Sequence, residues 1–149
     1  MRDRLVDWDA FFRAVLWGVF LLAALPKIQD PAAFAKIVNN YHLVPGRAVN
    51  AVALYLPWIE LLAGFAVIVP VGRAVRQAGV LLVALMLAAF IGAQGWAWVK
   101  GIDTACGCFS VTEAGKSAGV LGVVGNVVLL AGAVFSLAVG SVSESDRGA

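Results

Sequence analysis

Four long apolar runs, at about residues 10–25, 48–69, 77–99 and 118–139, are separated by short polar breaks along the chain. Each approaches the roughly 20 residues that carry a helix across about 30 Å of hydrocarbon at 1.5 Å per residue. The pattern predicts four membrane-spanning helices. The first run contains Arg13 and ends at Pro26-Lys27. A secretory signal peptide has an apolar core closed by a small-residue cleavage site. This run passes instead into an amphipathic segment, so it reads as a retained helix. Asp9 is placed to cap it, with Trp8, Phe11 and Phe12 as interface aromatics.

Asp30 before Pro31 is a natural N-cap followed by proline at the first helical position. A short helix should follow. Phe34, Ile37, Val38 and Tyr41 recur there at helical spacing, opposite Lys36, Asn39 and Asn40, which predicts an amphipathic helix lying along the membrane surface. Pro45-Gly46 marks the turn out of it. The second span is expected to be interrupted by Pro57 and carries Glu60, and Pro70-Val71-Gly72 ends it. Arg73 and Arg76 make the next loop short and basic. The third span contains Ala84, Ala88 and Gly92 at four-residue spacing, a stripe that lets helices approach closely. Gly115 with Gly119, and Ala118 with Gly122, form similar rows at the fourth. The expected organisation is one domain over residues 1–140 and a polar, disordered tail over 141–149.

Composition agrees with lipid as the solvent: 62% of residues are hydrophobic, 13% are charged and mean hydropathy is +0.91, against roughly 25% charged in soluble domains. The net charge of +2 is too small and too dispersed for nucleic-acid binding. Lys and Arg in the short loops set orientation. The Arg-rich N-terminus and the Arg73/Arg76 pair favour both termini inside, which puts the amphipathic helix and the loop at 100–117 together on the outer face.

That loop holds both cysteines of the chain, as Cys106-Gly107-Cys108. One reading is a dithiol that cycles with a disulfide. Gly107 supplies the backbone freedom to bring the two Cα atoms within bridging distance, and a small, strained, accessible ring is exchangeable rather than structural. A static staple is a second reading, but a three-residue loop removes little chain entropy. Half a metal site is a third. It lacks partners, since structural zinc takes four Cys or His ligands and the one histidine, His42, is remote in sequence.

Glu60 is the second chemical feature, because a carboxylate within a membrane helix costs roughly 2.5–3.5 kcal/mol on insertion scales and marks a functional candidate. Counted from the outer face, Asn126 falls at a similar depth and Gln94 nearer the surface, so the three are candidate polar lining for a cofactor. The alternative is that they are interhelical hydrogen bonds that fix packing. Lys27, at the outer end of the first span, reads as a snorkelling anchor. Tyr41 and His42 read as interface residues that would reach the cysteine loop if the amphipathic helix folds over it.

Lys27-Ile28-Gln29-Asp30-Pro31, then Phe34, then Tyr41-His42-Leu43-Val44-Pro45, then Pro57-Trp58-Ile59-Glu60 and finally Cys106-Gly107-Cys108-Phe109 stand in this order over roughly residues 13–139. The pattern resembles the MauE branch of the DoxX-like, redox-associated membrane proteins. Ser110 stands where that family commonly has glycine, which bears on the tightness of the turn. The resemblance implies a multi-pass plasma-membrane protein of methylamine metabolism that helps process, transport or mature the disulfide-rich methylamine dehydrogenase small subunit.

The expectation is therefore an all-α integral membrane bundle of four helices. Its function is expected to be thiol–disulfide exchange, a candidate oxidoreductase activity, through Cys106 and Cys108 with an extracytoplasmic thiol protein. That partner would be thioredoxin-like or the dehydrogenase small subunit, with lipid quinone a candidate cofactor inside the bundle. Two alternatives stand beside it: a transporter-like or accessory subunit with its site at Glu60, and a quinone-linked oxidoreductase subunit of the DoxX type.

Overall fold

The computed structural model describes residues 2–70, 72–101 and 118–145, and all regular structure among them is helical. In chain order the helices are α1 (Arg2–Gln29), α2 (Pro31–Asn40), α3 (Gly46–Ile68), α4 (Arg73–Val99) and α5 (Ala118–Ser145). Among the described residues four segments are long and apolar enough to cross a membrane: Asp7–Gln29, Gly46–Ile68, Arg73–Val99 and Gly122–Gly140. The four-helix membrane bundle with a short helix between its first two spans is the architecture expected above.

The spans pack around one apolar core. Leu16 and Phe20 of α1 meet Ala63 and Val67 of α3, Val80, Val83 and Leu87 of α4, and Ala133 of α5. On α1 the buried positions Leu16, Phe20 and Ala24 recur every fourth residue, and on α3 Val49, Ala53, Pro57 and Glu60 do nearly the same, so each helix turns one stripe inward. The outward faces carry Leu54, Tyr55, Trp58, Leu62 and Leu85. Large exposed apolar surface of this kind suits lipid and would be a liability in water.

α2 folds against α3, with Phe34 and Ile37 buried on Ala53 and with Val38, Tyr41 and Leu56 around them. Lys36, Asn39 and Asn40 are exposed on the other side, as the amphipathic pattern required. Asp30 caps the helix by accepting a hydrogen bond from the Ala33 N–H at 2.9 Å, with Pro31 at the first position. At the opposite end of the bundle, Phe12 of α1 packs edge-on against Phe135 of α5 at 5.7 Å, and Ser136 of α5 donates a hydrogen bond to Asp9.

Several boundaries differ from the sequence reading. α1 begins at Arg2 and runs through Pro26 to Gln29. Asp9 is thus inside the helix rather than capping it, and pairs with Arg13 one turn on at 3.0 Å. Pro26 lies in the last turn, so the Leu22 carbonyl loses its helical donor but little helix remains beyond the proline. Pro57 does not interrupt α3 either, since the helix continues to Ile68 around a buried proline. Neighbouring spans hold a proline-containing helix together in lipid, where an irregular, unbonded backbone is costly. α4 starts at Arg73, so the basic pair belongs to its first turn. It follows Gly72, whose φ of +149° few other residues adopt. α5 continues past 139 to Ser145, into the segment read as a tail.

The small-residue stripe is also placed differently. Ala84 is buried, but Ala88 and Gly92 face outward, and a Cβ built on Gly92 would meet nothing within 4 Å. Close approach occurs instead at Gly79, where a Cβ would stand 2.8 Å from the Ala66 Cβ and 2.9 Å from its carbonyl carbon. α3 and α4 touch nearly backbone to backbone there, beside the short turn that joins them. Of the rows expected at α5, the side chains through 121 lie outside the described residues.

Candidate functional site

Lys27 is not a snorkelling anchor. Because α1 carries through Pro26, Lys27 stays in helical register, eleven positions after Leu16 and seven after Phe20, and so falls on the buried stripe. Its side chain is 3% exposed and that of Glu60, on the inward stripe of α3, 1%. The ammonium donates to both carboxylate oxygens, at 2.6 Å to Oε1 and 2.8 Å to Oε2. A lone charge inside a bilayer is expensive, and pairing with close, two-pronged geometry is what makes two of them tolerable. The Lys27 Nζ also lies 5.2 Å from the ring centre of Phe34 in α2 and 5.3 Å from that of Phe90 in α4, within range for attraction to both ring faces. One cation on α1 thereby contacts three other helices, α2, α3 and α4.

Gln94 and Asn126 are both buried, and the Asn126 side-chain amide donates to the Gln94 carbonyl oxygen at 3.4 Å, joining α4 to α5. A cavity of about 20 Å³ lies between Lys27, Glu60, Phe90 and Asn126, large enough for one water-sized probe. The three polar residues singled out on α3, α4 and α5 therefore belong to one neighbourhood, organised by the lysine that sequence reasoning set aside. Its signal was available: spacing along α1 puts Lys27 on the same face as Leu16 and Phe20.

A second cavity, of about 130 Å³, lies beneath α2. Phe34, Ile37 and Tyr41 of α2, Leu56 of α3 and Phe90 and Gln94 of α4 line it, and Lys27 forms part of its wall. Partial burial pushes the Tyr41 phenol above its ordinary pKa, because the charged form would lose solvent. His42, directly after it, is exposed and adopts φ +52°, a conformation in which histidine is enriched.

Cys106 and Cys108 lie outside the described residues. Their loop leaves α4 and re-enters at α5, the ends of those helices nearest Gln94 and Asn126. Among the described residues no group of three His, Cys, Asp or Glu side chains is placed to hold a metal ion.

Four apolar spans, a helix folded on one end and an ion pair buried beneath it define a small multi-pass membrane protein. The chain belongs to the family described as methylamine utilisation protein MauE, whose model matches residues 6–139. Three proteins called methylamine utilization protein MauE are similar to it. That of Methylophilus methylotrophus is 42% identical over 52 residues, 35% of this chain and 27% of the relative. That of Methylorubrum extorquens is 36% identical over 61 residues, 41% and 33% of the two chains. That of Paracoccus versutus is 33% identical over 70 residues, 47% and 37%. The matched segments thus span between about a quarter and two fifths of these relatives' length. No solved structure matches the chain at a significant level.

Proposed function

We propose that this MauE-family protein is a membrane thiol–disulfide exchange protein in which Cys106 and Cys108 alternate between dithiol and disulfide. The observation that carries the reading is the sequence Cys106-Gly107-Cys108, both cysteines of the chain, within a connection between two spans. In the exchange one thiolate attacks a sulfur of the partner's disulfide and forms a mixed disulfide. The second cysteine then closes Cys106–Cys108 and releases the partner as a dithiol; the reverse sequence oxidises the partner. The names of the relatives support a partner from methylamine metabolism, and the resemblance stated above adds the disulfide-rich dehydrogenase small subunit or a thioredoxin-like protein as its identity. The reading puts the protein in the plasma membrane with both termini cytoplasmic and the loop outside.

Replacing either cysteine by serine tests this. One of C106S and C108S should accumulate a mixed disulfide with a thiol protein, visible on non-reducing gels, and the double variant should lose partner maturation. Full maturation by the double variant would overturn the proposal. A membrane-impermeant maleimide applied to intact cells should label the reduced loop from outside.

The buried Lys27–Glu60 pair beside a cavity favours a second reading, a transporter-like or accessory subunit with an intramembrane site. It gains if changes at Glu60 abolish function while both cysteines are dispensable.

A further inference from the structure

Thiol–disulfide exchange leaves the buried Lys27–Glu60 pair without a task. A primary amine is a nucleophile once it gives up a proton. The Glu60 oxygens stand 2.6 and 2.8 Å from Nζ, within reach for a general base. A shift of one proton along that bond gives neutral amine and neutral acid, which low-dielectric surroundings tolerate better than buried charges.

Two cavities meet at this amine. The one beneath α2, of about 130 Å³, is close to the ~150 Å³ of an apolar cavity that takes up benzene, so it has room for about six carbon atoms. Phe34, Ile37, Leu56 and Phe90 make it apolar. Its rim of Val38, Leu43, Val44 and Ala93 is apolar and partly or fully exposed, so a ligand enters from lipid. The second, of about 20 Å³ among Lys27, Glu60, Phe90 and Asn126, has the size and the polar partners that one water needs. An amine between an apolar chamber and a water-sized polar one suits a reaction that takes in an apolar carbonyl compound and gives out water. A cationic compound is repelled by Lys27, and an anionic one competes with Glu60. An aldehyde has a single carbon substituent, which leaves its carbonyl carbon open to Nζ beside the rings of Phe34 and Phe90.

We propose that Lys27 captures a small, neutral, lipid-soluble aldehyde as a reversible protonated Schiff base. Glu60 takes one ammonium proton, Nζ bonds to the carbonyl carbon, and a proton passes from nitrogen to oxygen to give a carbinolamine. Glu60 then returns its proton to the hydroxyl, the C–O bond breaks, and water leaves as the C=N bond forms. The iminium keeps its positive charge beside the Glu60 carboxylate and the two aromatic faces, where the ammonium sits. No electrons are gained or lost, so no oxidant is required, and hydrolysis by the same water releases the aldehyde. The capture does not involve the cysteines.

Benzaldehyde tests this on the full chain in lipid nanodiscs. Sodium borohydride reduces the imine to a stable benzylamine, which peptide mass spectrometry locates. Lys36 and Lys100 are exposed and lack a carboxylate partner among the described residues. Lys27 should be benzylated at least about tenfold faster than either, through its placed proton acceptor. The anion para-carboxybenzaldehyde should label Lys36 and Lys100 and spare Lys27. E60Q, which keeps the shape and loses the base, should slow benzylation of Lys27 about a hundredfold. A93W, which fills the rim and leaves the pair intact, should abolish it while Lys36 still reacts. Benzylation of Lys27 no faster than of Lys36 would overturn the site. Equal labelling of Lys27 by both aldehydes, or unchanged labelling in A93W, would overturn entry through the apolar cavity, and folded E60Q with an unchanged rate would overturn the role of Glu60.

Discussion

The Lys27 ammonium bridges both oxygens of Glu60, at 2.6 and 2.8 Å, across the interface of α1 and α3, and neither side chain meets solvent. Each residue makes the other tolerable. Removing one partner strands a charge, whereas removing both leaves an apolar contact of similar shape. K27M or E60Q alone is therefore expected to destabilise the bundle by about 3–5 kcal/mol, and K27M/E60L to recover most of the loss. Equilibrium unfolding in mixed micelles measures the three variants, and equal damage from single and double changes would refute the pairing as a stability element.

Gly79 and Gly92 lie on the same helix and make opposite predictions. A methyl at 79 runs into the Ala66 Cβ and backbone at 2.8 and 2.9 Å, with no flexible side chain to move aside. G79A should destabilise by about 1–3 kcal/mol through overpacking. At 92 nothing stands within 4 Å, and alanine has the higher helix propensity, so G92A should stabilise by up to about 1 kcal/mol. The same unfolding measurement should separate them in sign.

The α2 cap is local. D30A removes the acceptor for the Ala33 N–H, at a cost of about 1 kcal/mol. Amide exchange should speed up through α2 while the buried turns of α3 and α4 keep their protection. Uniform acceleration would mean that α2 is integral to the bundle's global stability.

Tyr41 reports the underside of α2 by titration. Its phenol is held above the ordinary value of about 10 by burial. The folded pKa is raised, so stability is intact below the unfolded pKa and falls as pH rises through the folded one. Ultraviolet titration should show a late phenolate transition that Y41F removes, and α2 should loosen over the same pH window. A transition at the ordinary value would show that Tyr41 is solvated.

Much of this architecture can be read from the pattern of residues. Spans of about 20 apolar residues have few alternatives in lipid, because only a helix satisfies its own backbone there. The amphipathic face of α2 and the Asp30-Pro31 start were likewise visible, since capping and period are local properties. Pro26 and Pro57 misled for a physical reason. Proline breaks an isolated helix, but a helix end absorbs Pro26, and surrounding spans hold α3 around Pro57.

Residue type and order alone establish that this chain has four runs fit to cross a membrane, that a carboxylate is placed within one of them, and that both cysteines share one connection. Each of these depends on residue type and spacing along a single segment. Helix packing is what answers Glu60 with Lys27, brings Phe34 and Phe90 to the ammonium, and joins Gln94 to Asn126. Those contacts depend on the rotation and depth of each helix against its neighbours. Interlocking side chains over the whole bundle set both quantities, and no local pattern encodes them.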